Sequence, residues 1–530
     1  MLVIIPTAGI GSRLDFNTQH LNKSMIQLGD NPVISKIIDC YPPKTDFIII
    51  VGYKGDHIEE YLKLTYPQKK IKIVRVKLFD GPGSGLSHSL SQALHLIKEP
   101  FFFHANDTIF TDKKFYLKVR SDTMFLHKKN CDTMKYATVE INKNYKKIHN
   151  KLSYFRNDFF NYTGVGFIND YKKFIKIIKN AKKNEGELSY FLSLNSNKIN
   201  FNFIDGWHDI GSKEGKEKAE NFFSNSKNIL PKYDQGIFFK NKTVYKFFTN
   251  KNIVSRRFER SKVLQPHVPL IFKKTKYFYV YSYNEGEIFS KIKNKKKEFY
   301  KLLEWLNSTF WKKIQLSTKK TMAFEQRCNS FYYEKSLSRI NYLYEKNNLN
   351  DKIDFINNTK TPKISSMFET INWRDINSGI PVNFHGDLHF ENIIKNKNKI
   401  ILLDWREDFS GIKKYGDIYY DLAKLNHGLI IDHNVIKNSR FNIDISNKSV
   451  NLKFFQSQEN KECQKILFKF LEDNNYSVLK VKILTSLIFL NIAALHHYPY
   501  SIFLYYLGKL MLFESTKNIS FKAKKHEKKN

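Results

Sequence analysis

The stretch Phe384-His385-Gly386-Asp387-Leu388-His389-Phe390-Glu391-Asn392, followed by Leu403-Asp404-Trp405, contains the groups that a phosphoryl-transfer site needs. Asp387 can orient and deprotonate an acceptor hydroxyl. Asn392, five residues on, and Asp404, at the end of an apolar run, offer the oxygen ligands that a hard cation takes when it bridges nucleotide phosphates.

A second constellation opens the chain. The apolar run Leu2-Val3-Ile4-Ile5-Pro6 leads into Thr7-Ala8-Gly9-Ile10-Gly11-Ser12-Arg13-Leu14, with Lys23 ten residues after Arg13. A buried strand feeding a glycine-rich loop brings backbone N–H groups against phosphate, and Arg13 and Lys23 supply countercharge. His104-Ala105-Asn106-Asp107 places Asp107 where a metal or ribose ligand would sit. Trp207-His208-Asp209-Ile210-Gly211-Ser212 offers a second acidic residue just before a helix expected to begin near Lys213.

The elements that must hold these groups follow from periodicity. Apolar runs at 2–6, 47–51, 71–76 and 101–104 alternate with helical patterns at 33–40, 56–64 and 86–97. That alternation predicts an α/β unit, a parallel sheet covered by helices, with ligands at the carboxyl ends of its strands. Polar residues at 224–228, with Pro231 shortly after, mark a domain boundary. Beyond it, 236–240 and 244–248 predict a hairpin, 277–283 a further strand, and 463–513 a helical lobe. Residues 290–360 are mainly helical and basic and carry no readable motif. The expected organisation is a first domain over 1–228, a second over 229–516 and a basic flexible tail over 517–530. A cut near Ser226 breaks no expected element, so both halves are expected to fold alone.

Both constellations resemble known families. The stretch around Asp387 resembles the aminoglycoside phosphotransferase and choline kinase family, which implies a two-lobed, protein-kinase-like α+β domain. In that resemblance Lys246 lies on the strand that reaches the nucleotide phosphates, and Glu259 is the helix carboxylate that pairs with it. A lysine held inward on a strand is costly without such a counter-ion. Asn284-Glu285-Gly286-Glu287 resembles the hinge where adenine binds, and Asp417 and Asp421 brace the catalytic loop. Residues 1–223 look like the nucleoside-diphosphate-sugar pyrophosphorylase type of nucleotidyltransferase, a Rossmann-like fold. There the resemblance implies that Gly9, Gly11, Ser12, Arg13 and Lys23 hold the triphosphate. It also implies that Asp107 and Asp209 hold Mg2+, and that a glycine-led helix at Gly85 lines the base. The family usually has proline where Phe16 and Asn22 stand, and threonine where Ser212 stands.

Composition narrows the remaining classes. The 530 residues are 42% hydrophobic and 15% aromatic, ample for packed cores despite a mean hydropathy of −0.47. The net charge of +37 comes from lysines scattered along the whole chain, which predicts a solvated basic surface with no specific nucleic-acid partner. Cys40, Cys131, Cys328 and Cys463 form no Cys-x-x-Cys pair, so neither zinc nor a disulfide framework is expected and a cytoplasmic setting fits. The start lacks a signal-peptide pattern, and the apolar run 483–495 is too short to span a membrane.

The expectation is a bifunctional enzyme using ATP, a second nucleoside triphosphate and Mg2+. It would phosphorylate a small hydroxylated molecule, taken to be a sugar, and transfer a nucleotidyl group to that phosphate, supplying a precursor for surface polysaccharide. An amino-alcohol kinase joined to a CTP-dependent cytidylyltransferase is the alternative, and a nucleic-acid-binding protein the third reading.

Overall fold

The computed structural model describes residues 1–14, 20–129, 131–181, 185–223, 234–446 and 449–527, with the side chains of Arg13, Lys118 and 518–527 left out. The chain forms two compact units. One comprises Met1–Val254 and Lys273–Val280, the other Ser255–Phe272 and Tyr281–Asn530.

In the first unit, β1 (Leu2–Pro6), β2 (Asp46–Val51), β3 (Ile71–Arg75) and β4 (Phe101–His104) pair in the order β3-β2-β1-β4, all parallel. Helices α1 (Val33–Ile38), α2 (Gly55–Thr65) and α3 (Leu86–Ser91) fill the connections. The strands are apolar along their length because both sheet faces are covered. Val3, Ile5, Phe47 and Ile49 enter one core, while Leu2, Ile4, Ile48 and Ile50 enter the other. Helix α3 is shorter than its pattern, since serines in Leu86-Ser87-His88-Ser89-Leu90-Ser91 compete for backbone hydrogen bonds. Past β4 the sheet turns antiparallel through β9 (Phe160–Ile168), which pairs with β4, β6 (Thr123–His127) and β7 (Thr138–Ile141). A separate ribbon joins β5 (Thr108–Phe110) to β11 (Trp207–Asp209), and α6 (Lys213–Phe222) follows.

The expected boundary at 224–228 lies outside the described residues, but the compact units divide later than it. The hairpin of β12 (Gln235–Lys240) and β13 (Thr243–Phe248) belongs to the first unit, as does most of the strand Phe278–Ser282. Phe238, Tyr245, Phe247, Phe278 and Val280 share one core with Ile58 and Tyr61 of α2. Lys240 reaches Asp39 at 3.0 Å, and Glu60 accepts from the Thr275 hydroxyl at 2.7 Å and from the Tyr277 N–H at 3.0 Å. These strands, expected to form the small lobe of the second domain, carry apolar faces that need a partner, and α2 supplies it.

The second unit is mainly helical. It holds α7 from Ser255 onward (the helix spans Lys251–Leu264), α8 (Lys295–Trp305), α9 (Thr318–Asn329), α10 (Lys335–Asn347), α11 (Ile418–Ile430), α12 (Gln458–Asp473), α13 (Val478–Ala493) and α14 (Tyr500–Glu527). The apolar run at 483–495 lies largely in α13, whose Val481, Leu484, Leu487, Ile488 and Phe489 are buried. Helix α14 takes in residues expected to form a flexible tail, where alanine and lysine favour helix. Among the described residues no helix is long and apolar enough to cross a membrane. All four cysteines are buried and unpaired.

Candidate active sites

In the first unit, Gly9 and Gly11 follow β1, and the turn that carries Asp107 follows β4. These are neighbouring parallel strands, and strand order reverses between them, which is where open α/β sheets bind ligands. The loop is fixed from below. Ala8 O accepts from the Tyr53 N–H at 2.9 Å, and Gly11, at φ 75°, starts the short turn Ser12–Leu14. Among the described residues, no atom beyond Gly9 and its chain neighbours lies within 4 Å of a Cβ placed at Gly9. The Arg13 side chain lies outside the described residues.

Asn22, at a position the resembled family gives to proline, anchors the next segment by other means. Its amide donates to Thr7 O at 2.9 Å and Tyr53 O at 2.7 Å, and its Oδ1 accepts from the Ser24 N–H at 2.9 Å. That anchoring aims Lys23 Nζ at Asp107 Oδ2, 2.6 Å away. Ser24 Oγ meets Asn106 Oδ1 at 2.9 Å, and buried His104 links Tyr41 OH to Thr108 O, so the Asp107 turn is held on both sides. Burial pushes the His104 pKa down to about 4, leaving the ring neutral.

Asp209 lies opposite Thr108 in the β5–β11 ribbon, and the Ile210 N–H donates to Asp107 O at 2.8 Å. The two acidic residues, 102 positions apart in sequence, thus become neighbours. Asp209 does not cap α6; Ser212 does, its Oγ accepting from the Gly215 N–H at 3.2 Å. Asp209 accepts from the Gly211 N–H at 2.8 Å and from Tyr136 OH at 2.7 Å, with Lys135 at 3.3 Å. Lys135 and Tyr136 were not anticipated, because nothing in their sequence neighbourhood marks them. Gly85 has a φ of 139° and opens α3. Glu187 is buried close enough to this site that the charge of Asp107 adds to the effect of desolvation; together they raise its pKa to about 8.

In the second unit, Asp387, Asn392 and Asp404 come together at the open end of the hairpin formed by Ile393–Asn396 and Lys399–Leu402, Asn392 just before its first strand and Asp404 just after its second. The Asn392 amide nitrogen donates to Asp387 O at 2.9 Å, while the Leu403 N–H donates to Asn392 O at 2.7 Å. Among the described residues the hydrogen bonds of the Asn392 side chain use Nδ2. Asp404 has a left-handed φ of 56°, a conformation that costs a non-glycine residue energy and is tolerated where it aims a functional group.

Buried Asp421 holds the turn that carries Asp387. Its carboxylate accepts from the N–H groups of His385 at 2.7 Å and Gly386 at 2.6 Å and from the Trp311 indole at 3.0 Å. Desolvation nevertheless raises its pKa to about 6. Asp417 accepts from Tyr332 OH at 2.8 Å and from the Ile380 N–H at 2.9 Å. His389 bridges Glu391 at 3.0 Å and Asp387 at 3.8 Å. Burial works against its charge, but those two carboxylates outweigh burial and hold its pKa up at about 9. Lys424, one turn after Asp421, reaches Asp387 Oδ1 at 2.8 Å. A lysine at that spacing on an apolar helix was the signal available for it.

Lys246 is buried in β13, opposite Ile237. Glu259, expected to face a buried lysine, is about half exposed and pairs with Lys262 at 3.2 Å. The reason is helical phase: Val254, Arg260, Ser261 and Leu264 define the inner face of α7, and 259 falls outside it. Arg260 is the buried group, donating to the carbonyls of Phe384 and Lys413. Arg257 lies 3.7 Å from both Asp404 and Glu407.

No protein-family model matches the chain, and no curated protein matches it. Among solved structures, the chain is similar to a UDP-glucose pyrophosphorylase from Acinetobacter baumanii, with 16% identity over 42% of this chain and 92% of that one and a TM-score of 0.34. It is also similar to a CTP:phosphocholine cytidylyltransferase from Streptococcus pneumoniae, with 18% identity over 42% and 99% and a TM-score of 0.34. An inositol-1-phosphate CTP transferase from T. maritima gives 16% identity over 42% and 96%, again with a TM-score of 0.34.

Proposed function

We propose that the chain catalyses two consecutive reactions, phosphorylation of a small hydroxylated molecule by ATP in the second unit and transfer of a nucleotidyl group to a phosphate in the first. The observation that carries the reading is the pairing in each unit of oxygen donors with a cation, Lys23 with Asp107 beside Asp209, and Lys424 with Asp387 beside Asn392 and Asp404. Asp107 and Asp209 would hold one magnesium ion, Asn392 and Asp404 another. Their hard oxygen donors fit that ion, which when bound neutralises nucleotide phosphates.

In the first unit a phosphate oxygen of the acceptor attacks the nucleotide α-phosphorus and pyrophosphate leaves. No side-chain nucleophile is needed. Lys23 supplies positive charge where negative charge develops, and the loop at Gly9 would receive phosphate. In the second unit Asp387 accepts the acceptor's hydroxyl proton, with Lys424 fixing the carboxylate's orientation.

The coupled reactions fit the making of an activated sugar for a surface polysaccharide. The test is to give the full chain ATP, each second nucleoside triphosphate in turn and a panel of free acceptors, following ADP and pyrophosphate separately. Absence of pyrophosphate release with every nucleoside triphosphate, even when sugar phosphates and phosphocholine are supplied as acceptors, would overturn the transferase half.

A further inference from the structure

Helix α10 lies in the basic segment that offered no motif, yet Lys335 at its start shares an aromatic ring with Arg406, which packs on the loop that carries Asp387. Lys335 Nζ stands 4.2 Å from the centre of the Phe331 ring, and the guanidinium of Arg406 stands 5.0 Å from the same ring. Arg406 packs directly on the loop that carries Asp387: a Cβ added at Gly386 would lie 2.5 Å from its Cβ, and its N–H donates to His385 O at 2.9 Å. Arg339 follows Lys335 by four residues, on the same face of α10, and is half-buried. The positive charges of Arg406, Arg339 and Lys424 all bear on Lys335, whose pKa burial first, and these cations second, push well below the ordinary lysine value.

The surrounding carboxylates do not balance this charge. Asp387 is engaged by Lys424 at 2.8 Å, and Glu407, the acidic residue nearest in effect to Lys335, lies 3.7 Å from Arg257. Among the described residues no carboxylate forms an ion pair with Lys335, Arg339 or Arg406. Like charges gathered in a partly desolvated place are unfavourable unless an anion completes them.

We propose that the acceptor phosphorylated by the second unit is itself an anion, a hydroxylated carboxylate or phosphate ester whose negative group is held by Lys335, Arg339 and Arg406. The inference rests on the kinase reading above and narrows its substrate class. The acceptor hydroxyl oxygen attacks the γ-phosphorus of ATP, the bond from that phosphorus to the ADP oxygen breaks, and the hydroxyl proton passes to Asp387. The products are ADP and a phosphorylated acceptor. Cationic amino alcohols are repelled by the same three groups.

The test supplies the full chain with Mg2+, ATP and one acceptor from four sets: glycerate and gluconate, glycerol 3-phosphate and glucose 6-phosphate, neutral glucose and glycerol, and choline and ethanolamine. ADP formation is read, and ATP binding is measured separately by calorimetry. Turnover is expected with an anionic set, and which one identifies carboxylate or phosphate. Arg339→Gln should raise the acceptor KM at least about tenfold, the scale of one charge-assisted contact, with the KM for ATP held. Arg339→Lys should recover part of the loss. Because Lys335→Met relieves repulsion, its thermal midpoint without ligand should not fall, so a folding defect is distinguishable from lost recognition. Turnover confined to neutral or cationic acceptors, or a rise in the KM for ATP in place of the acceptor's, overturns the proposal while leaving the kinase reading standing. ATP bound without ADP from either anionic set overturns it too. Failure to bind ATP would remove the kinase reading and this inference together.

Discussion

Ending the chain at residue 228 should unfold the first unit. The cut removes Phe238, Tyr245, Phe247, Phe278 and Val280, all buried in the core that includes Ile58 and Tyr61. Each fully buried side chain of this kind contributes about 1.5–3 kcal/mol, so the loss is on the order of 10 kcal/mol, an upper bound since unfolded chains bury some of this surface already. A domain's whole stability is only about 5–15 kcal/mol. The ring contacts of Tyr61 with Phe238, at 5.2 Å, and of His57 with Phe247, at 5.0 Å, go as well, leaving α2 with an apolar face in water. Urea unfolding, gel filtration and the near-ultraviolet circular dichroism of Tyr61 and Tyr66 would compare the fragment 1–228 with the full chain. We expect aggregation or a broad, early transition. The same logic in the intact chain gives Phe247→Ala a cost of about 3–5 kcal/mol. A monomeric 1–228 fragment that unfolds cooperatively within about 0.5 M urea of the full chain's first transition would refute the reasoning.

The two sites should be separable: Asp107→Asn should abolish pyrophosphate release and spare ADP formation, whereas Asp387→Asn should lower ADP formation at least about 100-fold and spare the transferase. Loss of both activities in either folded variant would count against two sites. Stability should also depend on Glu187, whose pKa rises from 4.5 to about 8 on folding. The folded chain then binds the proton more tightly, so the contribution is whole below pH 4.5, declines as pH climbs and is gone above about 8, a loss of a few kcal/mol. Glu187→Gln should flatten this decline in denaturation midpoints measured from pH 5 to 9; an unchanged slope would refute it. Arg260→Met should destabilise the second unit by about 2–5 kcal/mol, because it strands the carbonyls of Phe384 and Lys413. A denaturation midpoint equal to that of the unsubstituted chain would show those bonds to be dispensable.

Local order set much of this protein. The continuous apolar runs at β1, β2 and β4 announce strands buried on both faces, and the glycines after β1 announce a turn that exposes backbone N–H groups. Asp387 and Asn392 are five residues apart, so a single loop suffices to bring them together, and their juxtaposition was legible from spacing. What depends on chain segments far apart was not. Lys135, Tyr136 and Lys424 meet their carboxylates only through pairing of strands and packing of helices. The side of α7 that faces inward is settled by its neighbours, which is why Arg260 is buried and Glu259 exposed. The compact units divide later than the polar linker for the same reason: such a linker shows where a chain is free to bend, but the partner of the hairpin that follows is decided by which surface can cover its apolar face. Here that surface is α2.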